Sequence, residues 1–338
     1  MADGPPADGL RSPASPAAAG YFAPRWLPGA HLQTIWSAIA APRPSPPLSR
    51  IRWSTPDGDF IDLDFGPAPP VADAPLWVLF HGLEGSSKSH YARAIVAHAA
   101  ELGWQSVVIH FRGCSGSPNQ MPRAYHSGDS AEIDWILRRL HDQHPRRRLF
   151  ASGVSLGGNA LLKWLGEQGS AARFVGAAAA ICPPQDLQAG AESLARGFNR
   201  VYCEHFLRSL RPKTLAMLER WPGLVDAARV RTARTFFDFD DAVTAPLHGF
   251  SSCFDYWTRS SCRQFLGEVR VPTLVINARN DPFVPVRGLA TATDVSTSVI
   301  LDYPDEGGHV GFPSAALGGR FRWVPMRVAS FFGELGDV

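Results

Sequence analysis

The sequence predicts an α/β protein whose mostly parallel sheet is covered by helices on both faces and interrupted by a helical insertion. Three observations carry that reading. From Leu76 onward short apolar runs alternate with helical patterns, the order that produces parallel strands joined by crossover helices. One run ends in Gly153-Val-Ser155-Leu-Gly157 and leads directly into a helical pattern, a strand-turn-helix signature. Between Asp186 and Arg270 the alternation gives way to helical patterns without a convincing core strand, and it resumes at Thr273.

The elements follow in order. Residues 1–20, rich in Ala, Pro and Gly, lack the positive and apolar regions of a secretory signal and are expected to form a disordered tail. The core is expected over 21–185 and 271–338, with the helical insertion at 186–270. Segments 50–55 and 59–65 flank Pro56-Asp57-Gly58, a hairpin signal. The strand that starts at Leu76 runs into His81-Gly82-Leu83-Glu84-Gly85. Tyr91, Ile95, Ala99 and Leu102 recur at helical spacing, as do Ile133, Ile136, Leu137 and Leu140, so each helix offers one apolar face to the sheet. Asp129, three residues before Glu132, has the spacing of a capping box at the start of the second helix. Segments 105–111, 149–153 and 174–181 read as buried strands around the serine turn. The runs from Thr273 and Ser298 supply two more strands.

Composition narrows the class. With 338 residues, 45% hydrophobic, the chain can bury a large core in one α/β domain with an insertion. A net charge of +2 gives no basis for nucleic-acid binding, and no apolar run is long enough to span a bilayer. The five cysteines (Cys114, Cys182, Cys203, Cys253, Cys262) are scattered and odd in number, which favours reduced thiols in a cytoplasmic protein over a disulfide or zinc framework. There is no internal repeat, and nothing in the sequence bears on oligomeric state.

The chemistry is carried by Ser155. A serine on a sharp turn between strand and helix exposes its hydroxyl, and the following helix aims free N–H groups at the reacting oxygen. The hydroxyl needs a base, and the base needs an acid to hold its tautomer. His309, after a Gly-Gly turn, and Asp281, in the loop after the strand from Thr273, supply both. The chain order Ser, Asp, His is that of the α/β-hydrolase arrangement, and backbone N–H groups of Leu83 and Leu156 are the expected oxyanion donors. Asp186 is a rival acid, because it follows the strand 174–181. His126 and His248 are weaker rivals for the base, since neither follows a strand at the required position. His81 reads as a loop-holding histidine. Arg196, Arg200, Arg208 and Arg211 fall largely on one helical face, a solvated face rather than an anion site given Glu204 among them. Arg146, Arg147 and Arg148 read as a charged loop.

The sequence also resembles the YheT-type hydrolases, a branch of the α/β-hydrolase superfamily. The resemblance rests on segments 24–34, 81–87, 111–116, 125–128, 155–159, 239–245, 248–250, 281–283 and 307–312, which together span nearly the whole chain. It implies Ser155, Asp281 and His309 as the triad and ester hydrolysis as the reaction, and leaves the substrate open. Near the N-terminus nothing resembles the membrane anchor of the eukaryotic members. The expectation is a serine esterase acting on carboxylic esters of short to medium acyl chains, with monoacylglycerol or other lipid-like esters among the candidate substrates, without cofactor or metal. An acyltransferase or thioesterase with the same triad is the alternative, and a non-catalytic binding protein on this scaffold the distant one.

Overall fold

The computed structural model describes residues 20–314 and 318–335. The tail expected at 1–20 therefore lies, apart from Gly20, outside the described residues. Eight strands form one sheet: β1 (Ser49–Ser54), β2 (Phe60–Phe65), β3 (Leu76–Phe80), β4 (Gln105–His110), β5 (Leu149–Val154), β6 (Val175–Ile181), β7 (Thr273–Ile276) and β8 (Val299–Asp302), in the order β1-β2-β4-β3-β5-β6-β7-β8. Strand β2 pairs antiparallel with both of its neighbours, β1 and β4, and every other pair in the sheet is parallel. The first two close through the expected Pro56-Asp57-Gly58 turn, where Gly58 has φ 81°. On β1, Arg50 and Arg52 reach across to their register partners Asp64 and Asp62 at 2.7 and 2.8 Å.

Side-chain alternation explains why the sheet is covered twice. Leu76, Val78 and Phe80 of β3 face one core, with Ile133, Ile136, Leu137 and Leu140 of a helix, while Trp77 and Leu79 face the other, with Ile95, Val328 and Phe332. Those helices are α2 (His90–Glu101) and α3 (Ser130–Gln143), after α1 (Ala30–Ile35) and before α4 (Leu156–Gln168). Leu102 departs from its expected place, since the helix ends at Glu101 and Leu102 is 43% exposed. The capping box also fails to form: Asp129 sits at the N-cap of α3 without a capping bond. Its carboxylate is taken by Arg123 at 2.7 Å and that of Glu132 by Arg112 at 2.7 Å, so ion pairing displaces the local cap. Arg112 also holds Asp57 and Asp59, tying the β1–β2 turn to α3.

Between β6 and β7 the regular structure is helical throughout: α5 (Leu187–Leu194), α6 (Asn199–Arg220), α7 (Ala227–Thr232), α8 (Phe236–Phe239), α9 (Ala245–Leu247) and α10 (Cys253–Ser260), with π and 3-10 turns among them. This segment has its own apolar cluster of Cys203, Leu207, Val230, Phe239, Ala242 and Val243. Arg196 precedes α6, while Arg208 and Arg211 both close on Glu204, in keeping with a solvated face. Helix α11 (Trp323–Glu334) completes the second core. All five cysteines are free thiols.

Candidate active site

Strand β5 ends at Val154, and Ser155 turns the chain into α4 with φ 51° and ψ −118°. A non-glycine residue there costs about 1–3 kcal/mol unless its surroundings hold it. Here Ser155 N–H donates to the Ile181 carbonyl at 2.8 Å, and the packing leaves no slack. A Cβ on Gly153 would stand 2.4 Å from the Gly157 carbonyl oxygen, and one on Gly157 would stand 2.5 and 2.6 Å from those of His81 and Phe80. Both glycines of the pentapeptide are thus required by backbone approach.

The acid and the histidine arrive from the two loops expected to carry them. His309 Nδ1–H donates to Asp281 Oδ2 at 2.8 Å, and Ser155 Oγ–H donates to His309 Nε2 at 3.0 Å. The other Asp281 oxygen accepts from the N–H groups of Phe283 and Val284 at 2.8 and 3.2 Å, so the carboxylate is fixed by three donors. Phe283 stacks on the imidazole at 4.2 Å between centroids. Asp186 does not enter this relay. It is the N-cap of α5, accepting from Ala189 N–H at 3.0 Å, a role that explains an acid at the end of the β6 loop equally well. His126 and His248 pack against each other, ring centroids 4.4 Å apart and planes tilted by 47°, and line the same cavity, but the bond to Ser155 belongs to His309.

The histidine loop is braced from a distance. Thr34 Oγ accepts from His309 N–H at 2.9 Å, Gln33 Oε1 accepts from Gly307 N–H and from Asn280, and Ser37 donates to the Gly311 carbonyl. Cys182 accepts from Val310 N–H at 3.3 Å. The segment 24–34, prominent in the family resemblance, thereby acquires a position, which no periodicity in the sequence could have supplied. Cys182, Asp281 and His309 are also, among the described residues, the one group whose potential metal-ligand atoms lie together, within 4.8 Å. Two of those three are already bonded to each other.

The turn after β3 completes the surroundings. His81 is fully buried, donates from Nδ1 to the Gly82 carbonyl at 2.7 Å and accepts from Phe111 N–H at Nε2, 3.1 Å. Burial pushes its pKa down to about 3, so it is a neutral brace. The N–H groups of Gly82, Glu84 and Gly85 donate to Tyr91 Oη, Tyr125 Oη and the Gly82 carbonyl. That of Leu83 has no partner among the described residues, and Leu83, Ser155, Leu156 and His309 line one cavity of about 550 Å³. Leu187, Leu194, Phe206, Leu210 and Phe239 of the helical insertion form an apolar part of its wall.

The family described as the alpha/beta hydrolase fold matches residues 75–315. The Escherichia coli (strain K12) protein named "Putative esterase YheT" is 37% identical over 82% of this chain and 82% of its own. The chain belongs to the YheT branch of the α/β-hydrolases. Within that branch it is a carboxylic ester hydrolase. The mouse phospholipase ABHD3 is 29% identical to this YheT-type chain over 86% of it and 73% of its own length. Among solved structures, the esterase Pf2001 of Pyrococcus furiosus shares the fold, with a TM-score of 0.55 at 15% identity over 86% of this chain and 93% of that one. As in the fold generally, the YheT-type strands are mostly parallel. Among the described residues no helix is long and apolar enough to cross a membrane.

Proposed function

We propose that the chain hydrolyses esters of short to medium acyl chains, lipid-like esters included, with Ser155 as nucleophile, His309 as base and Asp281 as the orienting acid. The observation that carries this reading is the unbroken relay Asp281–His309–Ser155 at 2.8 and 3.0 Å on the wall of a largely apolar cavity. Ser155 Oγ attacks the ester carbonyl as its proton passes to His309 Nε2. Asp281 stabilises the imidazolium. The tetrahedral oxyanion is held by the N–H groups of Leu83 and Leu156, the second at the positive end of α4. Collapse breaks the carbon–alkoxide bond while His309 returns the proton to the leaving alcohol. Water, deprotonated by His309, then attacks the acyl-enzyme, and the acid departs with Ser155 restored.

The insertion acts as a cap: its apolar residues shape the acyl pocket and exclude water. A volume of about 550 Å³ suits a small-molecule ester, and the name of the mouse relative points to lipid substrates. Ser155→Ala should abolish both fluorophosphonate labelling and turnover of a p-nitrophenyl ester series while circular dichroism stays unchanged. Turnover near that of the parent would sink the assignment. The same series, graded in chain length, reads the acyl preference, and an added alcohol reports whether the acyl-enzyme is resolved by water or by a transfer acceptor.

A further inference from the structure

Glu84, the residue after the proposed oxyanion donor Leu83, has φ 54°, so a non-glycine side chain is held in the left-handed region. Its carboxylate joins two parts of the molecule. Oε1 accepts from Tyr125 Oη at 2.9 Å, and Tyr125 Oη in turn accepts from Glu84 N–H at 2.8 Å, a closed pair anchored on the sheet side by stacking of Tyr125 on Phe111 at 5.2 Å. Oε2 faces the insertion, where Ser209 Oγ donates to it and Lys213 Nζ lies 2.7 Å away. Ser209 and Lys213 are four residues apart on α6, one turn along a single helix face. The Glu84 side chain is only 9% exposed although Lys213 is 44% exposed, so the junction is shielded from one side.

We infer that Glu84 is a positioning residue that couples the seating of α6 over the cavity to the alignment of the Leu83 N–H. The coupling rests on the esterase reading above. Docking of Ser209 and Lys213 on Oε2 holds the carboxylate whose other oxygen and own N–H are clasped by Tyr125, and this fixes the peptide that follows Leu83. With α6 withdrawn, Glu84 loses two of its donors, and the strained turn that aims Leu83 N–H at the oxyanion is free to relax. Strong donation to the oxyanion is thereby reserved for the closed, water-excluding state.

The test is the double variant Ser209→Ala/Lys213→Met, with Lys213→Arg for rescue and Glu84→Gln as a second probe that keeps the Tyr125 contact. Removal of an oxyanion donor costs about 10²–10³ in kcat, so a misaligned one is expected to cost about tenfold. For p-nitrophenyl butyrate, kcat should fall by about that factor in the double variant with KM changed less than about twofold, and Lys213→Arg should recover most of it. Affinity for a trifluoromethyl ketone, which forms the tetrahedral adduct, should fall in parallel, whereas affinity for the matching alcohol should not. An unchanged kcat in a folded double variant, or a change confined to KM, overturns the coupling. Failure of the parent protein to hydrolyse the ester or to label with fluorophosphonate overturns the esterase reading instead.

Discussion

Two carboxylates, Asp281 and Asp186, each stand in a loop after a parallel strand, and their environments divide the roles. Asp281 is fixed by three donors, one of them His309, whereas Asp186 spends its oxygen on a helix end. Asparagine at 281 keeps the size but lets the imidazole settle in the wrong tautomer, a change that costs about 10⁴ in a serine protease. Asp281→Asn should therefore lose at least about a hundredfold in kcat. Asparagine caps a helix as well as aspartate does, so Asp186→Asn should change little, while Asp186→Ala should cost about 1 kcal/mol of stability with kcat retained. Chemical denaturation alongside steady-state kinetics reads both effects; a dead but folded Asp186→Asn would reverse the assignment.

At the level of elements, the insertion between β6 and β7 is the part whose motion the proposed mechanism needs. Its most open turn, residues 221–226, joins α6 to α7 and is largely exposed, directly after Arg220. Within residues 20–335, limited trypsinolysis should cut first at Arg220, and phosphonylation of Ser155 should slow that cut. First cleavage in β3–β6, indifferent to the phosphonate, would remove the cap. The boundaries of these elements were legible because Pro56-Asp57-Gly58, Gly153-x-Ser155-x-Gly157 and the apolar faces of α2 and α3 are local signals. The hydrogen-bonded relay Asp281–His309–Ser155 was legible for a related reason, since each member follows a strand in a fixed chain order. The clasp of Glu84 by Ser209 and Lys213 was not, nor was the brace of His309 by Gln33 and Thr34. Those partners are separated by 125 residues or more, and no periodicity records such a meeting. The capping box at Asp129 misled because Arg112 and Arg123, distant in sequence or outside the motif, outbid a backbone N–H for its carboxylates.

For the molecule as a whole, buried histidines set the response to acid. Burial lowers the pKa of His81 and His248 to about 3, and of His90 and His126 to about 4, from an ordinary 6.5. The unfolded chain thus binds more protons than the folded one as pH drops below 6.5, and stability held in full above that value is lost progressively towards pH 4 and below. Asp240 and Glu132, raised by burial to about 6 and about 7, work in the opposite sense, their contributions fading as pH rises from the ordinary carboxyl range through those values. Four histidines outweigh these two carboxyls, so Tm should fall between pH 7 and pH 4.5, and His248→Asn should flatten the fall. A Tm independent of pH over that interval would contradict the account. The outer edge of the sheet has a consequence of another kind. An edge strand with free N–H and C=O groups invites a second chain to add on, and β1, exposed over Ser49–Arg52 with Ile51 47% exposed, is such a template. Arg50 and Arg52, pinned by Asp64 and Asp62, set a row of charge along it that any incoming strand would have to desolvate. Replacing both by valine takes the cations from the buried Asp62 and Asp64 and so should lower Tm, and the protein that remains folded should self-associate at high concentration, because two arginines guard this edge.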